Sequence, residues 1–271
     1  MQPICGVFPK FGIWNVITDA TLGKYCQRCV TLSHQIGINT DYRKKIAVAL
    51  LGNKNGAGGR IYHLDETRFD EIQDESQAYW LGFLMADGCV RSDGTIHIKL
   101  ASKDYDHLNK FREFIKTNYL IKETTNNGRY YKHIVMRSQH MVDSLMTLGV
   151  VPRKSPITKI PPPELLQESL VRHFIRGVFD GDGWVTYNWK VGLVFGIIGS
   201  YTLMSQIQEV LIRNCGLNHT KLHRDKQQAS NTYVSLVYGG NKQTRRIYRY
   251  LYANANIYLP RKELIWHSIS L

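Results

Sequence analysis

The sequence predicts an α+β fold of two pseudo-symmetric units, each with the element order αββαββα, behind a small, mainly helical N-terminal extension. Three observations predict this fold. After residue 76 the chain repeats itself at an offset of 95 residues, which indicates an internal duplication. Within each repeat, helical and strand-like periodicities alternate in the same order. Between the extension and the repeats, residues 52–59 contain four glycines and two asparagines, a composition typical of a flexible linker.

The N-terminal extension, residues 1–60, has the outline of a helix-turn-helix. One predicted helix is capped at Thr18 and runs to Gly37, and a second starts at Thr40 and stops at Gly52. This segment has two interpretations. It is either a helix-turn-helix that reads DNA or a solvated helical hairpin, and its sequence does not decide between them.

The cysteines are too few and too scattered for a disulfide framework, so we expect reduced thiols. They are Cys5, Cys26, Cys29, Cys89 and Cys215. A zinc site built on Cys26 and Cys29 with Cys5 and His34 would need a second paired knuckle, and the sequence has none. We therefore expect cysteines on a helix face and no structural zinc.

The two repeats define the remaining domains. WLGFLMADG at 80–88 corresponds to IRGVFDGDG at 175–183, and each nonapeptide is followed by a turn and alternating strand-like residues. The first unit is predicted to span residues 61–160 and the second 161–271. Pro161–Pro163 supply a predicted helix start at the join. Two similar units in one chain imply a pseudo-twofold axis.

The charge balance favours a polyanionic partner. The chain of 271 residues carries a net charge of +13, and residues 76–271 hold 26 Lys and Arg against 14 Asp and Glu. Membrane-surface proteins usually concentrate such charge on one amphipathic helix, whereas here it is spread over predicted strands and loops. We therefore expect nucleic acid as the partner, with no membrane and no small-molecule substrate.

We expect an intracellular protein, because the uncharged apolar stretches have at most about nine residues, far short of a membrane span, and no secretory signal is visible. The compartment would be the cytoplasm or nucleoid of a prokaryote or of a phage-infected cell, or an organelle of a eukaryote.

Small residues stand four apart in the leading helix of each unit. Gly82 with Ala86, and Gly177 with Gly181, form a groove in which another helix backbone can approach closely. The two leading helices are therefore natural partners.

An acid follows each groove, Asp87 in the first unit and Asp182 in the second, and each is followed by a glycine suited to a left-handed helix end. Carboxylates at helix C-termini are electrostatically unfavourable, because the helix dipole already places negative charge there. Divalent cations between the two acids would make the arrangement favourable, and hard oxygen ligands suit magnesium. A single Asp-Gly pair is more often a simple turn, but duplication behind two small-residue grooves favours a metal role.

The two nonapeptides resemble the paired motifs of the LAGLIDADG homing endonucleases. The resemblance covers residues 76–271. It rests on GFLMADG and FIRGVFDGDG, on Pro-Arg-Lys-Ser at 152–155, and on LYANANIYLPRK at 251–262, all in the order and spacing of the family. It implies a site-specific DNA endonuclease whose two four-stranded sheets form a saddle in the major groove of a long, nearly asymmetric target.

The resemblance also implies the catalytic chemistry. The last acid of each motif, here Asp87 and Asp182, holds Mg²⁺ or Mn²⁺ between the DNA strands together with the preceding Ala86 and Gly181, and cleavage leaves 3′ overhangs. The other acidic position of the motif holds Met85 and Asp180 in the two units, so a strict requirement there is not expected.

Basic residues near the end of each unit's fourth strand are expected close to the phosphate, and the candidates are Arg137 and Lys242. Further DNA contacts are expected from basic and polar residues of strands and turns, where polar residues alternate with apolar ones. These are Lys99, Lys103, Arg129, Lys132, Thr186, Asn188, Lys190, Lys221, His223 and Arg224. The expected state is a monomer on double-stranded DNA, encoded by a free-standing gene or an intron.

Two other classes of function stay open from the sequence. One is an RNA-binding maturase that keeps the fold and helps an intron to fold. The other is a non-catalytic DNA-binding regulator. Loss of either motif acid would favour these classes, and both acids are present.

Overall fold

A computed structural model describes residues 62–152, 157–224 and 233–268. The chain divides after His63, and Leu64–Leu271 form one compact unit. The predicted N-terminal helices, the glycine-rich linker and the first three cysteines lie outside the described residues.

Both halves of this compact unit have the same element order. The first contains α1 (Glu75–Ala86), β1 (Gly88–Val90), β2 (Thr95–Ala101), α2 (Tyr105–Phe114), β3 (Lys122–Asn126), β4 (Arg129–Arg137) and α3 (Gln139–Thr147). The second contains α4 (Glu168–Asp182), β5 (Gly183–Asn188), β6 (Gly192–Ser200), α5 (Tyr201–Cys215), β7 (His223–Arg224), β8 (Tyr233–Gly239), α6 (Asn241–Tyr252) and α7 (Pro260–Ser268). The predicted order αββαββα is confirmed in both units, and α7 follows the second.

Each unit folds its strands into a four-stranded antiparallel sheet of the same topology, with strand orders β1-β2-β4-β3 and β5-β6-β8-β7. The glycine after each motif acid begins the first strand and pairs with a buried isoleucine of the second. Gly88, the residue after the first motif acid, pairs with Ile98 on β2, and Gly183 pairs with Ile197 on β6. The predicted pair of antiparallel units is therefore present, with a longer first hairpin in the second unit.

Each sheet has one buried face and one outer face. On β2, for example, Ile96, Ile98 and Leu100 are buried, and the residues between them are not. This alternation follows from the period of two in a strand. The helices of each unit cover the buried face and leave the outer face uncovered.

Local capping explains where several helices begin. At α1, Asp74 accepts a hydrogen bond from the Gln77 backbone N–H, and the Gln77 side chain accepts one from the Asp74 N–H, which forms a capping box. At α5, the Ser200 hydroxyl caps the Leu203 N–H. The prediction that Pro161–Pro163 start a helix is wrong, because α4 begins later, at Glu168.

The expectation of a left-handed glycine after each motif acid is also wrong. Gly88 does not have a positive φ, and Gly183 is extended at φ −97° and ψ 170°, because the chain passes directly from each helix into a strand. Both glycines are needed for space instead. A Cβ on Gly88 would lie 2.7 Å from the Leu84 carbonyl oxygen, and one on Gly183 would lie 2.3 Å from the Phe179 ring.

The segment before α1 is fastened to the first unit. Phe69 is fully buried and Ile72 is 5% exposed. The Ser138 hydroxyl, which caps α3, donates to Glu66 over 2.6 Å, and the Ser144 hydroxyl donates to Asp70 over 2.6 Å. This segment therefore belongs to the first unit. None of the described helices is long and apolar enough to cross a membrane.

Candidate active site

The helices α1 and α4 pack against each other with their backbones in close contact. A Cβ on Gly82 would lie 2.0 Å from the Phe174 carbonyl oxygen, and one on Gly177 would lie 2.0 Å from the Tyr79 carbonyl oxygen. Only glycine leaves room for such an approach. The small residues predicted at a helix interface thus lie at the contact between the two motif helices.

This packing brings the two motif acids to one junction. At the C-terminal end of the contact, a Cβ on Gly181 would lie 2.3 Å from the Ala86 methyl group and 3.5 Å from the Asp87 carboxylate. Asp87 therefore lies directly beside the last turn of α4, which ends at Asp182. Both acids are exposed, so their carboxylates are accessible from outside.

Lys262, at the start of α7, occupies the C-terminal end of α4. Its ammonium group donates hydrogen bonds to the carbonyl oxygens of Phe179 and Asp180, over 2.6 and 2.8 Å, and to that of Gly183. It is 3% exposed. A positive charge at these carbonyls offsets the negative end of the helix dipole.

The ammonium group of Lys262 also interacts electrostatically with both Asp87 and Asp182. Burial lowers the pKa of Lys262 to about 8, against the opposing effect of Asp180 and the two motif acids. At neutral pH the lysine is therefore mostly charged, and it reduces the repulsion that the sequence predicts between the acids.

Asp180 is a buried carboxylate that holds the segment leading to Lys262. Its oxygens accept hydrogen bonds from the Leu259 N–H over 2.7 Å, the Tyr79 hydroxyl over 2.8 Å and the Tyr252 hydroxyl over 2.9 Å. Burial raises the pKa of Asp180, and Lys262 with these three donors opposes the rise. The hydrogen bonds and the lysine compensate for the loss of water around the carboxylate.

The network around Asp180 extends into the first unit. The Tyr79 hydroxyl donates its proton to Asp180, and the Tyr79 oxygen therefore accepts a hydrogen bond from His107 Nε2 over 2.8 Å. Burial lowers the pKa of His107 to about 3, so this histidine is neutral. Asp180 thus ties α1 and α4 to the chain before α7.

A second buried group, the Arg176 guanidinium, fixes the N-terminal end of the same contact. It is fully buried, and it donates to Glu75 over 2.6 Å and to the carbonyl oxygens of Leu251 and Ile257. His173 lies beside it, and burial lowers the pKa of His173 to about 4. Glu75 is the first residue of α1, so the ion pair joins the two units.

The basic residues predicted near the phosphate lie away from the acids. Arg137 pairs with Thr95 at the far end of its sheet, three residues beyond the row of Gly88, about 10 Å along the strand. Lys242 is the second residue of α6, beyond the equivalent end of the other sheet. Their contact with phosphate stays a prediction, but the structure does not bring either side chain to Asp87 or Asp182.

Sequence reasoning missed Lys262 as a site residue. A signal was present, because Pro-Arg-Lys at 260–262 repeats Pro-Arg-Lys at 152–154. Only the fold shows that this lysine lies at the carbonyl oxygens that end α4, the helix that carries Asp182. Its counterpart Lys154 lies outside the described residues.

The predicted DNA contacts of the first unit divide between the two faces of its sheet. Lys99 and Arg129 lie on the outer face, and Lys103 is exposed in the turn after β2. Lys132, which is also predicted to contact DNA, does not lie on the outer face. It lies on the helix-covered face, where it forms an ion pair with Glu123 over 2.6 Å, because it is an odd number of positions from Arg129.

In the second unit, Thr186 and Asn188 lie on the outer face of β5, and Lys190 is exposed in the turn that follows. His223 pairs with Ser235 on the outer face. Arg224 pairs with the buried Val234, so strand alternation places it on the opposite face. Lys221 precedes β7 and lines a cleft against α5.

The donor set at the junction fits a hard divalent cation. Two exposed carboxylates stand at adjoining helix ends, beside the backbone oxygens of Ala86 and Gly181, and such oxygen ligands suit magnesium or manganese. Among the described residues, no group of three or more His, Cys, Asp and Glu side chains could hold a metal, so a cation here would depend on two carboxylates with backbone, water or substrate oxygens.

Residues 169–251 match the family model of the LAGLIDADG-like domain. The matched segment runs from α4 into α6 and contains Asp180 and Asp182. Residues 169–251 therefore contain a LAGLIDADG-like domain, in the unit where the sequence predicts the second motif.

One component of the A-type ATP synthase from Pyrococcus abyssi (strain GE5 / Orsay) is 28% identical to this chain over 123 residues. The match covers 45% of this chain and 12% of that relative. The chain thus spans a small part of the length of the curated relative that it matches.

Solved structures are similar at low identity. The LAGLIDADG homing endonuclease I-GzeII in complex with its DNA target is 13% identical, with 73% of this chain and 89% of that chain covered and a TM-score of 0.47. The N-terminal LAGLIDADG domain of WhiA is 14% identical, with 70% and 90% covered and a TM-score of 0.46. I-SmaMI, bound to an uncleaved DNA target in the presence of calcium ions, is 13% identical, with 68% and 87% covered and a TM-score of 0.40.

Proposed function

We propose that this chain is a site-specific DNA endonuclease that uses a divalent metal to cut both strands of a long, asymmetric target and leaves 3′ overhangs. One observation carries the proposal. Two motif acids from duplicated helices lie exposed at a single junction and interact with one buried lysine. A purely structural Asp-Gly turn would need neither the second acid nor the lysine.

The motif acids Asp87 and Asp182, with Ala86 and Gly181, would hold Mg²⁺ or Mn²⁺. When bound, such a cation lowers the pKa of water and stabilises the leaving oxygen in phosphodiester hydrolysis. The packing of Gly82 against α4 fixes the distance between the acids. Lys262 adds a fixed positive charge at the place where the phosphate would bring negative charge, which favours the transition state.

The outer faces of the two sheets are proposed to contact the DNA duplex. Lys99, Lys122, Arg129 and Arg137 lie on the outer face of the first sheet. Their positive charge would attract the polyanionic duplex to this face. Because one chain supplies both acids and both sheets, we propose that it acts as a monomer.

The test uses a duplex selected from a randomised pool by its binding to the protein. Asp87→Asn and Asp182→Asn should each abolish double-strand cleavage in magnesium and leave binding within a few-fold of the wild type. Asp106→Asn, which removes an exposed acid on α2, is the matched control and should cleave normally.

If either motif variant cuts both strands at the wild-type rate, the proposed site is wrong. If the wild-type protein binds a selected duplex and never cuts it, the binding-only alternatives, an RNA maturase or a DNA-binding regulator, replace the endonuclease.

A further inference from the structure

The outer faces of the two sheets differ in chemistry, although their topologies are the same. On the first sheet, the outer strand positions carry four lysines and arginines and no carboxylate: Lys99, Lys122, Arg129 and Arg137. Glu123, the one acid in these strands, lies on the other face, paired with Lys132. The lysines and arginines on the outer strand positions of this sheet therefore face no carboxylate there.

The outer face of the second sheet carries both apolar and polar side chains, the polar ones being Thr186, Asn188, Ser200, His223, Tyr233 and Ser235. Among its described strand positions it carries no lysine, arginine or carboxylate, and its side chains include Trp184, Val194, Ile198 and Val237. Ile198 is 40% exposed. A Cβ on Gly196 would lie 2.2 Å from the Trp184 ring, so the indole lies across this face.

These two surfaces match different groups in the major groove of DNA. Lysine and arginine donate hydrogen bonds to O6 and N7 of guanine, whereas apolar side chains contact the C5 methyl group of thymine. Contacts from charged residues also depend on salt, and apolar contacts do so much less.

We infer that the two sheets read the two halves of the DNA target by different chemistry. The first sheet recognises a half-site containing guanine through charged contacts, and the second recognises a half-site containing thymine through its methyl groups. The inference rests on the proposed function, since it takes DNA as the occupant of both faces. The positive charge of the first face favours DNA as the occupant, and the second face holds the matching position beside the same pair of acids.

The experiment measures binding to the selected duplex without divalent metal, with modified bases in one half at a time. Deoxyuridine in place of thymidine removes the methyl group, and 7-deazaguanine removes the N7 acceptor. Deoxyuridine should weaken binding only in the half read by the second sheet, by about fourfold per contacted methyl group. Deazaguanine should weaken binding only in the other half, by about fivefold or more per contacted base.

Variants assign each half to its sheet. Ile198→Ala and Val194→Ala should remove the response to deoxyuridine and leave the salt dependence unchanged. Lys99→Ala and Arg129→Ala should remove the response to deazaguanine. If both variants only lower the slope of log K against log salt, by about 1 each, these residues contact phosphate and the guanine readout by the first sheet is wrong. Matched controls are Lys132→Ala, on the opposite face of β4, and Leu264→Ala, an exposed leucine on α7.

The outcomes separate this inference from the proposed function. If both halves respond alike to both base substitutions, or if deoxyuridine has no effect in either half, the inference is wrong while sequence-specific cleavage can still stand. If no duplex is enriched from the pool, the proposed function itself fails. If a duplex is selected but never cut, the proposed endonuclease activity is wrong. The binding data then still support unequal readout of the two halves.

Discussion

Replacing Gly82 by alanine tests the contact that brings the two acids together. The added methyl group would lie 2.0 Å from the Phe174 carbonyl oxygen, about 1.4 Å short of the 3.4 Å at which ordinary contacts begin. The obstacle is helix backbone, which cannot rotate away as a side chain can. To accept the methyl group, α1 and α4 must therefore move apart by roughly this distance.

The cost in stability follows from the loss of packing along the whole interface. Overpacking a core usually costs about 1–3 kcal/mol, and a rigid backbone obstacle places Gly82→Ala near 3 kcal/mol. For a unit of this size, each kcal/mol lowers the melting temperature by about 2–4 °C, so we expect a decrease of about 6–12 °C. Gly177→Ala should act similarly, because its methyl group would lie 2.0 Å from the Tyr79 carbonyl oxygen.

The cleavage rate should be affected more strongly than the free energy of unfolding. A displacement of about 1 Å in an active site can lower the rate by about 100-fold, and Asp87 and Asp182 belong to the two helices that separate. Melting would be followed by scanning fluorimetry, and single-turnover cleavage would be measured well below the melting temperature. Gly239→Ala is the control for stability, since its methyl group would lie 3.8 Å from the nearest side chain.

The double variant Gly82→Ala/Gly177→Ala gives a further check. One separation of the helices relieves both clashes, so the double variant should cost clearly less than the sum of the two single variants. A melting temperature within about 2 °C of the wild type for Gly82→Ala, with cleavage intact, would refute the close contact.

Three further predictions follow. Lys262→Met should slow single-turnover cleavage by about 100-fold or more while equilibrium binding changes little, since the lost charge acts at the junction; equal losses in both would assign it to DNA binding. Urea unfolding at several pH values should show that the free energy of unfolding falls as the pH drops below 6.5. Burial lowers the pKa of His107 to about 3 and that of His173 to about 4, so the unfolded chain binds these two protons before the folded chain does. A free energy of unfolding that stays constant down to pH 4 would contradict this. A fragment beginning at Ile61 should fold and cleave, because Leu64–Leu271 form a compact unit, and a folded but inactive fragment would place residues before 61 in the catalytic unit.

The duplicated architecture could be predicted because its signals are local and occur twice. Small residues four apart and an acid before glycine mark each motif helix, and period-two alternation marks the strands that follow. Ser200 caps α5 where the sequence places a serine before an amphipathic helix. Repetition made each signal more specific than a single copy would be.

The face of individual strand residues was predicted less well, and the reason is register. Arg129 and Lys132 were both expected to contact DNA, yet they stand three positions apart on one strand and must point to opposite faces. His223 and Arg224 are adjacent and separate in the same way. Positive charge alone does not indicate a DNA contact, because a basic residue can also pair with an acid on the covered face, as Lys132 does with Glu123.

The role of Asp180 could not be predicted, because it depends on contacts between distant parts of the chain. In the sequence it is only the second acidic position of one motif, matched by Met85 in the other. In the fold it accepts from Tyr79 of the first unit and from Leu259 just before Lys262. A buried carboxylate costs stability unless donors and a counter-charge surround it, and here both do. The position of the lysine at the acids is thus set jointly by the two units, which explains why neither motif read alone reveals it.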